Sequence, residues 1–346
     1  MKKAELWLED EQGRIVCTAC LRRCRIPRER TGLCQTRENV GGELFSLTYG
    51  HVSSVAVDPI EKKPLFHFYP GTKVYSIGGW GCNFSCAMCQ NHEIAHIVPK
   101  LKNDPEIPPA ELVEDAIRRE SQGIAFTYNE PAIWSEYVRD TFKLAKKKGL
   151  YTVIVTNGSF TKESLDYVGS SCDAYRVDIK AMNDQSLARI GVTGIDPEDI
   201  LENTIYAKDR WGMHVECVTN VIPTVNDSEN ELKSIAIWIR DNLGSRVPWH
   251  VTRFYPALRF QHLMPTDLAT LQMAERIGKQ AGLTNVYVGN IRSANGENTF
   301  CPRCQTIVIQ REGFAVKQNL TVAGRCGKCG ETLGIIDKDA RITYQD

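Results

Sequence analysis

Hydrophobic positions between residues 72 and 292 alternate between two periods. Short runs rich in β-branched and aromatic residues give way to stretches with an apolar stripe at helical spacing. The first predicted strand is Val74–Gly78. Ile124–Tyr128, Tyr151–Thr156, Ala174–Lys180, His214–Ile222 and Trp249–Phe254 follow, and Val286–Val288 reads as a late, short strand. Helices are predicted between them. Glu111–Ser121 follows Pro108-Pro109 and carries Leu112, Val113, Ala116 and Ile117 on one side, with Gly123 as its stop. Ala132–Lys148 ends at Gly149. Ser228-Glu-Asn-Glu231 has the form of a capping box ahead of Leu232, Ile235, Ala236, Ile239 and Leu243, with Gly244 as the stop. Thr266 is placed to cap Asp267–Ala281.

Strand–helix alternation at this spacing predicts parallel strands joined by right-handed crossovers. The expected fold is α/β: a partial TIM-type (β/α)6 barrel over residues 72–292. Residues 1–71 form an N-terminal Cys-rich extension, and residues 293–346 a zinc-ribbon-like module. Residues 103–109 read as a loop and 290–299 as a linker. Chemistry in such barrels gathers at the C-terminal strand ends. There the sequence places Thr127-Tyr-Asn-Glu-Pro131, Thr156-Asn-Gly158, Asp178 with Lys180 on one strand face, and His250, Arg253 and Tyr255.

Charge changes the picture only by exclusion. Lys and Arg total 42, as do Asp and Glu. This balance gives no signal for nucleic acid or an acidic membrane surface. No apolar run approaches the ~20 residues of a membrane span. The first ten residues carry acids where a signal peptide needs an apolar core. A cytoplasmic protein is expected. Its thiols stay reduced, so thirteen cysteines point to metal sites.

Eleven of the cysteines form three sets; Cys172 and Cys217 stand alone and read as small buried apolar residues. The C-terminal set is Cys301-x2-Cys304-x21-Cys326-x2-Cys329, two knuckles around the strand-like Thr306–Gln310. Four thiolates around one ion make a structural zinc site, with a rubredoxin-type iron as the alternative. The N-terminal set is Cys17-x2-Cys20-x3-Cys24-x9-Cys34. It suits zinc or an auxiliary iron–sulfur cluster. Arg22, Arg23, Arg25, Arg28 and Arg30 around it read as a solvated basic face, with docking of an acidic partner as the alternative.

The middle set holds only three: Cys82-x3-Cys86-x2-Cys89, directly after the first strand. Structural zinc and an ordinary cubane cluster each take four protein ligands. Three thiolates leave one iron of a [4Fe–4S] cluster open. A zinc knuckle completed by His92 or His96 is the alternative.

C-x3-C-x2-C after a strand is the motif of the radical SAM enzymes. The chain resembles, more narrowly, the radical SAM enzymes of the AmmeMemoRadiSam system, in the broader group that is similar to activases of glycyl radical enzymes. That resemblance rests on both flanking cysteine sets, Pro59–Phe68 with Pro70-Gly71, Gly81–Asn91, Thr127–Pro131, Thr156–Gly158, Asp178–Lys180 and Gly289-Asn290. It implies that Cys82, Cys86 and Cys89 hold a [4Fe–4S] cluster whose open iron binds S-adenosylmethionine (SAM). One-electron reduction would then yield methionine and a 5′-deoxyadenosyl radical that takes hydrogen from a substrate. It implies further that Phe84 packs near the adenine and that Glu130 stands in an activase Gly-Gly-Glu segment, with Tyr128 and Asn129 in place of the glycines. Thr156, Asn157 and Asp178 match positions lining the SAM pocket, Lys180 completes an activase Asp-x-Lys pattern, and His250 aligns with a SAM-contacting histidine. Trp80, Phe84 and Ile94 offer the cluster apolar cover. A ferredoxin or flavodoxin is implied as electron donor, and Memo-like or AMMECR-like proteins as partners. The substrate reads as a partner protein, with a small molecule or a non-catalytic metal scaffold as the alternatives.

Overall fold

The computed structural model describes residues 1–99, 105–291 and 296–337. The predicted loop at 103–109 and linker at 290–299 lie partly outside these residues. The central element is an eight-stranded sheet of Ser54–Pro59 (β1), Lys73–Gly78 (β2), Gly123–Phe126 (β3), Tyr151–Thr156 (β4), Ala174–Asp178 (β5), His214–Val221 (β6), Trp249–Arg253 (β7) and Val286–Gly289 (β8). Neighbours in the sheet are neighbours in sequence throughout. β2 to β8 are parallel, and β1 pairs antiparallel with β2. All seven parallel strands answer to sequence expectations. β1 does not: the sequence assigns it to the N-terminal extension, so the sheet begins at Ser54, before the expected boundary at 72.

Strand order never reverses, unlike that of a doubly wound sheet. One sheet face, with Tyr75, Ile77, Ile124, Phe126, Ile154, Val177, Val251 and Val288, packs on the helices. The other carries Val74, Ala125, Tyr151, Val153, Val155 and Ala174 against Ile60, Leu65 and Phe68. Strand parity makes this division. The near-continuous apolar runs follow from burial on both faces.

Helices Pro109–Arg118 (α1), Ser135–Lys147 (α2), Glu229–Trp238 and Leu268–Gln280 match expectation within a few residues. Lys162–Gly169, Asp184–Arg189 and Pro197–Trp211 were not expected. Two caps differ in chemistry. Ser228 accepts from the Glu231 amide, but the Glu231 carboxylate turns away to Met182 N and Asn183 Nδ2, so the capping box is half formed. Thr266 caps nothing: its hydroxyl donates to Val221 O and accepts from Phe254 N, pinning β6 to the end of β7.

The N-terminal strand ends of the sheet, its lower end, are closed by a buried polar network. Glu216 on β6 accepts from His67 N at 2.8 Å, His214 Nε2 at 3.0 Å, Phe66 N at 3.0 Å and His250 Nε2 at 2.7 Å. His250 also stacks on Tyr287 and meets Phe66 edge-on. It therefore sits low on β7, fully engaged, and not among the residues of the upper end where the resemblance placed it. The misplacement has a simple cause: His250 is the second residue of its strand, and the mouth begins where the strand ends.

The C-terminal module forms separate small sheets and does not extend the large one. It docks below. Arg311 reaches the Phe66 carbonyl at 2.7 Å and Thr299 Oγ1 at 2.9 Å, while Ile336 exchanges backbone bonds with His67 and Tyr69. The N-terminal extension docks on the upper end. Leu21 N donates to Ser159 O at 2.9 Å, and Thr161 Oγ1 to Thr18 O at 2.5 Å. Buried Arg37 pairs with Glu136 on α2 at 2.5 Å.

Candidate metal and cofactor site

Cys82, Cys86 and Cys89 lie on the loop leaving the C-terminal end of β2, and all are free, partly buried thiols. Several contacts fix this loop. Arg22 Nε donates to Asn83 O at 3.0 Å, Arg259 Nη2 to Ser85 O at 2.7 Å, and Ala87 N to Ile190 O at 2.7 Å. Gly81 has φ +80°, and a Cβ there would stand 2.7 Å from Cys34 O and from Thr36 Cγ2. Only glycine permits that approach to the N-terminal extension.

The loop after β3 is laced to the same place. Asn129 Oδ1 accepts from Gly79 N at 3.1 Å, and its Nδ2 donates to Gly81 O at 2.7 Å. Tyr128 has φ +72°, the left-handed region that costs a side-chain-bearing residue about 1–2 kcal/mol. Its hydroxyl bonds Asp58 Oδ2 at 2.9 Å. The backbone thus keeps a glycine-like turn although the activase glycines are replaced.

Glu130 is buried and its carboxylate is occupied by the protein. It accepts from Ala132 N at 3.0 Å, Asn157 N at 2.8 Å and Thr156 Oγ1 at 2.8 and 3.0 Å. Burial raises its pKa to about 7 against those hydrogen bonds. Glu130 joins the loops after β3 and β4. Asn157 Nδ2 lies 3.0 Å from Asn83 Oδ1 and 3.9 Å from Cys82 Sγ. At the end of β5, Asp178 is held by Arg176 and by Lys180 Nζ, the latter at 2.8 Å. The Lys180 ammonium is within electrostatic reach of Cys86, Cys89 and Glu130. Phe84 is buried and lines an open cavity of ≈ 310 Å³ with Cys82, Ala95 and Arg259. Trp80 and Ile94 are half-buried.

The upper end therefore gathers the cysteine trio, Phe84, Glu130, Thr156, Asn157, Asp178 and Lys180, and leaves out His250. Sequence reasoning missed the positioning roles of Arg22, Asn83 and Arg259, whose contacts with the loop leave no sequence pattern. Arg22 belongs to the run expected as a solvated face but turns onto the loop, whereas its neighbour Arg23 does pair at the surface with Glu163.

Burial raises all three thiols of the trio, Cys82 furthest, with nearby Glu130 adding to it. A thiol so raised is a poor free nucleophile, and a metal must displace its proton. The three sulfurs do not form a single-ion shell with one another or with His92 or His96. Among the described residues, only Cys301, Cys304, Cys326 and Cys329 bring their ligand atoms within 4.8 Å of one another. The trio's donors and wider spacing fit a multi-iron cluster.

Residues 77–236, which contain this loop and the ends of β2 to β6, match the model of the Radical SAM superfamily. The chain belongs to the radical SAM superfamily. That family implies a [4Fe–4S] cluster and SAM. The chain is 39% identical over 338 residues to the uncharacterized protein MJ0808 of Methanocaldococcus jannaschii, covering 97% of this chain and all of that one. It is 25% identical over 170 residues to the pyruvate formate-lyase-activating enzyme of Clostridium pasteurianum, covering 46% of this chain and 67% of that one. A putative glycyl-radical enzyme activating enzyme of M. jannaschii, MJ1632, is also 25% identical, over 50% of this chain and 65% of its own. These activating enzymes are distant homologues. Among solved structures, a radical SAM methyltransferase from Sphaerobacter thermophilus aligns with a TM-score of 0.49 at 16% identity, over 66% of this chain and 71% of that one. Among the described residues, no helix is long and apolar enough to cross a membrane.

Proposed function

We propose that this radical SAM protein is an activase-like enzyme whose substrate is a partner protein. The trio's place on the β2 loop, inside the segment that matches the superfamily, carries the reading. The activating-enzyme homologues point to a protein substrate. Cys82, Cys86 and Cys89 would hold a [4Fe–4S] cluster, which when bound to SAM supplies one-electron cleavage to a 5′-deoxyadenosyl radical. The chain's own residues do the rest. Phe84 offers an apolar surface for the adenine beside Cys82. Asn157 and Lys180 present donors to the carboxylate end of SAM. Glu130 holds the two loops at fixed separation. Asp178 orients Lys180. We read the sheet as a partial TIM-type barrel whose upper mouth is this site.

The C-terminal cysteines suit one structural zinc. The Cys301–Cys329 and Cys304–Cys326 sulfurs stand 3.5 and 3.7 Å apart, against about 3.8 Å around an ion with bonds of ~2.3 Å. All thirteen cysteines are free, which fits a reducing, cytoplasmic setting. The electron donor would be a ferredoxin or flavodoxin. The resemblance to AmmeMemoRadiSam enzymes makes Memo-like and AMMECR-like proteins the first partners to test. The test is isotopic: each partner is prepared with deuterated amino acids and turned over with SAM. Deuterium appearing in 5′-deoxyadenosine identifies a protein substrate. Deuterium-free product with every partner, alongside transfer from a small molecule, would replace this reading with the small-molecule one.

A further inference from the structure

The N-terminal cysteines are the largest set of metal-ligating side chains that the proposed function does not use. Cys17, Cys20 and Cys34 are buried and Cys24 is half-buried. They come from three turns of chain: the end of strand Ile15–Cys17, the loop at 18–24, and the turn before strand Arg37–Val40. All four line one cavity, whose other walls include Ala19, Ile26, Ile133, Arg37 and Asn83. Their sulfurs act on one another electrostatically: Cys34 with Cys17, Cys20 and Cys24, and Cys17 with Cys20.

Spacing separates the two metals that suit four thiolates. The C-terminal set shows what a single-ion site looks like in this same chain: four sulfurs within 4.8 Å of one another. No three of the N-terminal sulfurs meet that distance. The space they surround admits a water-sized body. Four sulfurs ~2.3 Å from one ion leave no such room. Four irons and four sulfides hold their thiolates further apart than a single ion does.

The surroundings suit an anionic, dry cofactor. Arg37, fully buried, faces Cys17 and Cys34 while Glu136 and the Ile133 carbonyl fix its guanidinium. Ala19, Ile26 and Ile133 give the sulfurs apolar cover, and Arg22 and Asn83 join the lining. The cavity also shares a wall with the trio. Asn83 lines it, bonds toward Cys20, and is in turn bonded by Asn157 beside Cys82. Cys34 lines both this cavity and the open one next to Cys82.

We infer that Cys17, Cys20, Cys24 and Cys34 hold a second [4Fe–4S] cluster, fully ligated by protein and adjacent to the radical SAM trio. The site stands independently of the proposed function, and its test separates the two. The full chain carrying Cys82→Ala, Cys86→Ala and Cys89→Ala is reconstituted anaerobically with iron and sulfide. Metal and sulfide are counted and the iron is examined by Mössbauer spectroscopy. The expected result is four irons and four sulfides with a cubane spectrum, besides the single ion of the C-terminal set. Wild type should carry about twice that iron and sulfide. Zinc in the N-terminal site, or no metal beyond the C-terminal ion, overturns the inference. Failure of the proposed trio cluster would look different: wild type and triple variant would then hold equal iron. Cys20→Ala in the otherwise wild-type chain supplies the converse, with loss of about four irons expected. Retention of all of the iron by this variant would also overturn the inference.

Discussion

At the lower end of the sheet, Glu216 accepts four hydrogen bonds and fills every acceptor position of its carboxylate. At the upper end, three thiols stand on a loop with no bond between them and with Lys180 facing two of them. Both ends are covered by a cysteine-bearing module, one from each end of the chain. Below, Arg311 and the Pro59–Phe68 segment seal the Glu216 carboxylate, while Glu61 Oε2, His67 Nδ1 and Arg311 Nε are left without hydrogen-bond partners among the described residues. Above, the N-terminal extension braces the loop but leaves donors unused. A saturated buried carboxylate specifies structure; unused thiol donors are where a ligand belongs. The lower end should therefore answer to stability measurements, and the upper end to metal and SAM.

The largest effect expected is from Cys86→Ala. It should remove the trio's iron and sulfide and bring SAM cleavage to background, while the C-terminal ion stays. Iron and sulfide unchanged in this variant would erase the distinction between the ends. Next comes Glu216→Ala, which strands two backbone amides and two histidines. Breaking such a buried set costs about 3–5 kcal/mol, read as a fall in melting temperature. Iron per folded molecule should hold. Unchanged melting with lost cleavage would mean that the lower end, not the upper, does chemistry.

Much of this division was open to sequence reading, and the reasons differ by feature. The seven parallel strands show because burial on both faces leaves continuous β-branched runs. The cysteine sets show because metal chemistry fixes their spacing. β1 does not show: it is a six-residue edge strand, half exposed, beside the motif-rich Pro59–Phe68. Lys162–Gly169 was missed because its Thr161–Ser164 box uses Ser where Glu or Gln is expected. Glu130 and Lys180 were singled out by pattern, and the structure makes Glu130 a tie between loops. His250 was misplaced because aligning a residue to a strand does not say at which end of the strand it sits.

Smaller changes sharpen the contrast. Arg311→Met removes donors to Phe66 O and Thr299 and the buried partner of Glu61, so a loss of about 2–4 kcal/mol is expected without loss of trio iron. A variant that melts like wild type would show that the C-terminal module does not brace the sheet. Lys180→Met should weaken SAM binding roughly ten-fold, near the low end for a charged hydrogen bond, at nearly unchanged stability. Calorimetric titration of the loaded protein decides it, and equal affinity would remove Lys180 from the site.

The smallest effect is on pH. Burial lowers the pKa of His67 to about 3 from the ordinary 6.5. A depressed histidine leaves stability intact above pH 6.5 and drains it as pH falls toward 3, because the unfolded chain takes up the proton first. Melting temperature should begin to fall between pH 7 and 5.5, with metal content followed in the same samples. A flat profile over that range would mean that His67 is not sealed from water.

The central claim is that the upper end holds a cluster that cleaves SAM. Wild-type protein, reconstituted anaerobically and shown to carry its trio cluster, is given dithionite and SAM, and 5′-deoxyadenosine is measured by chromatography. Slow formation of 5′-deoxyadenosine and methionine in equal amounts, absent from Cys86→Ala, is the predicted result. A fully loaded wild-type protein that forms no 5′-deoxyadenosine, alone or with any partner tested, would contradict the account and leave a non-catalytic metal scaffold.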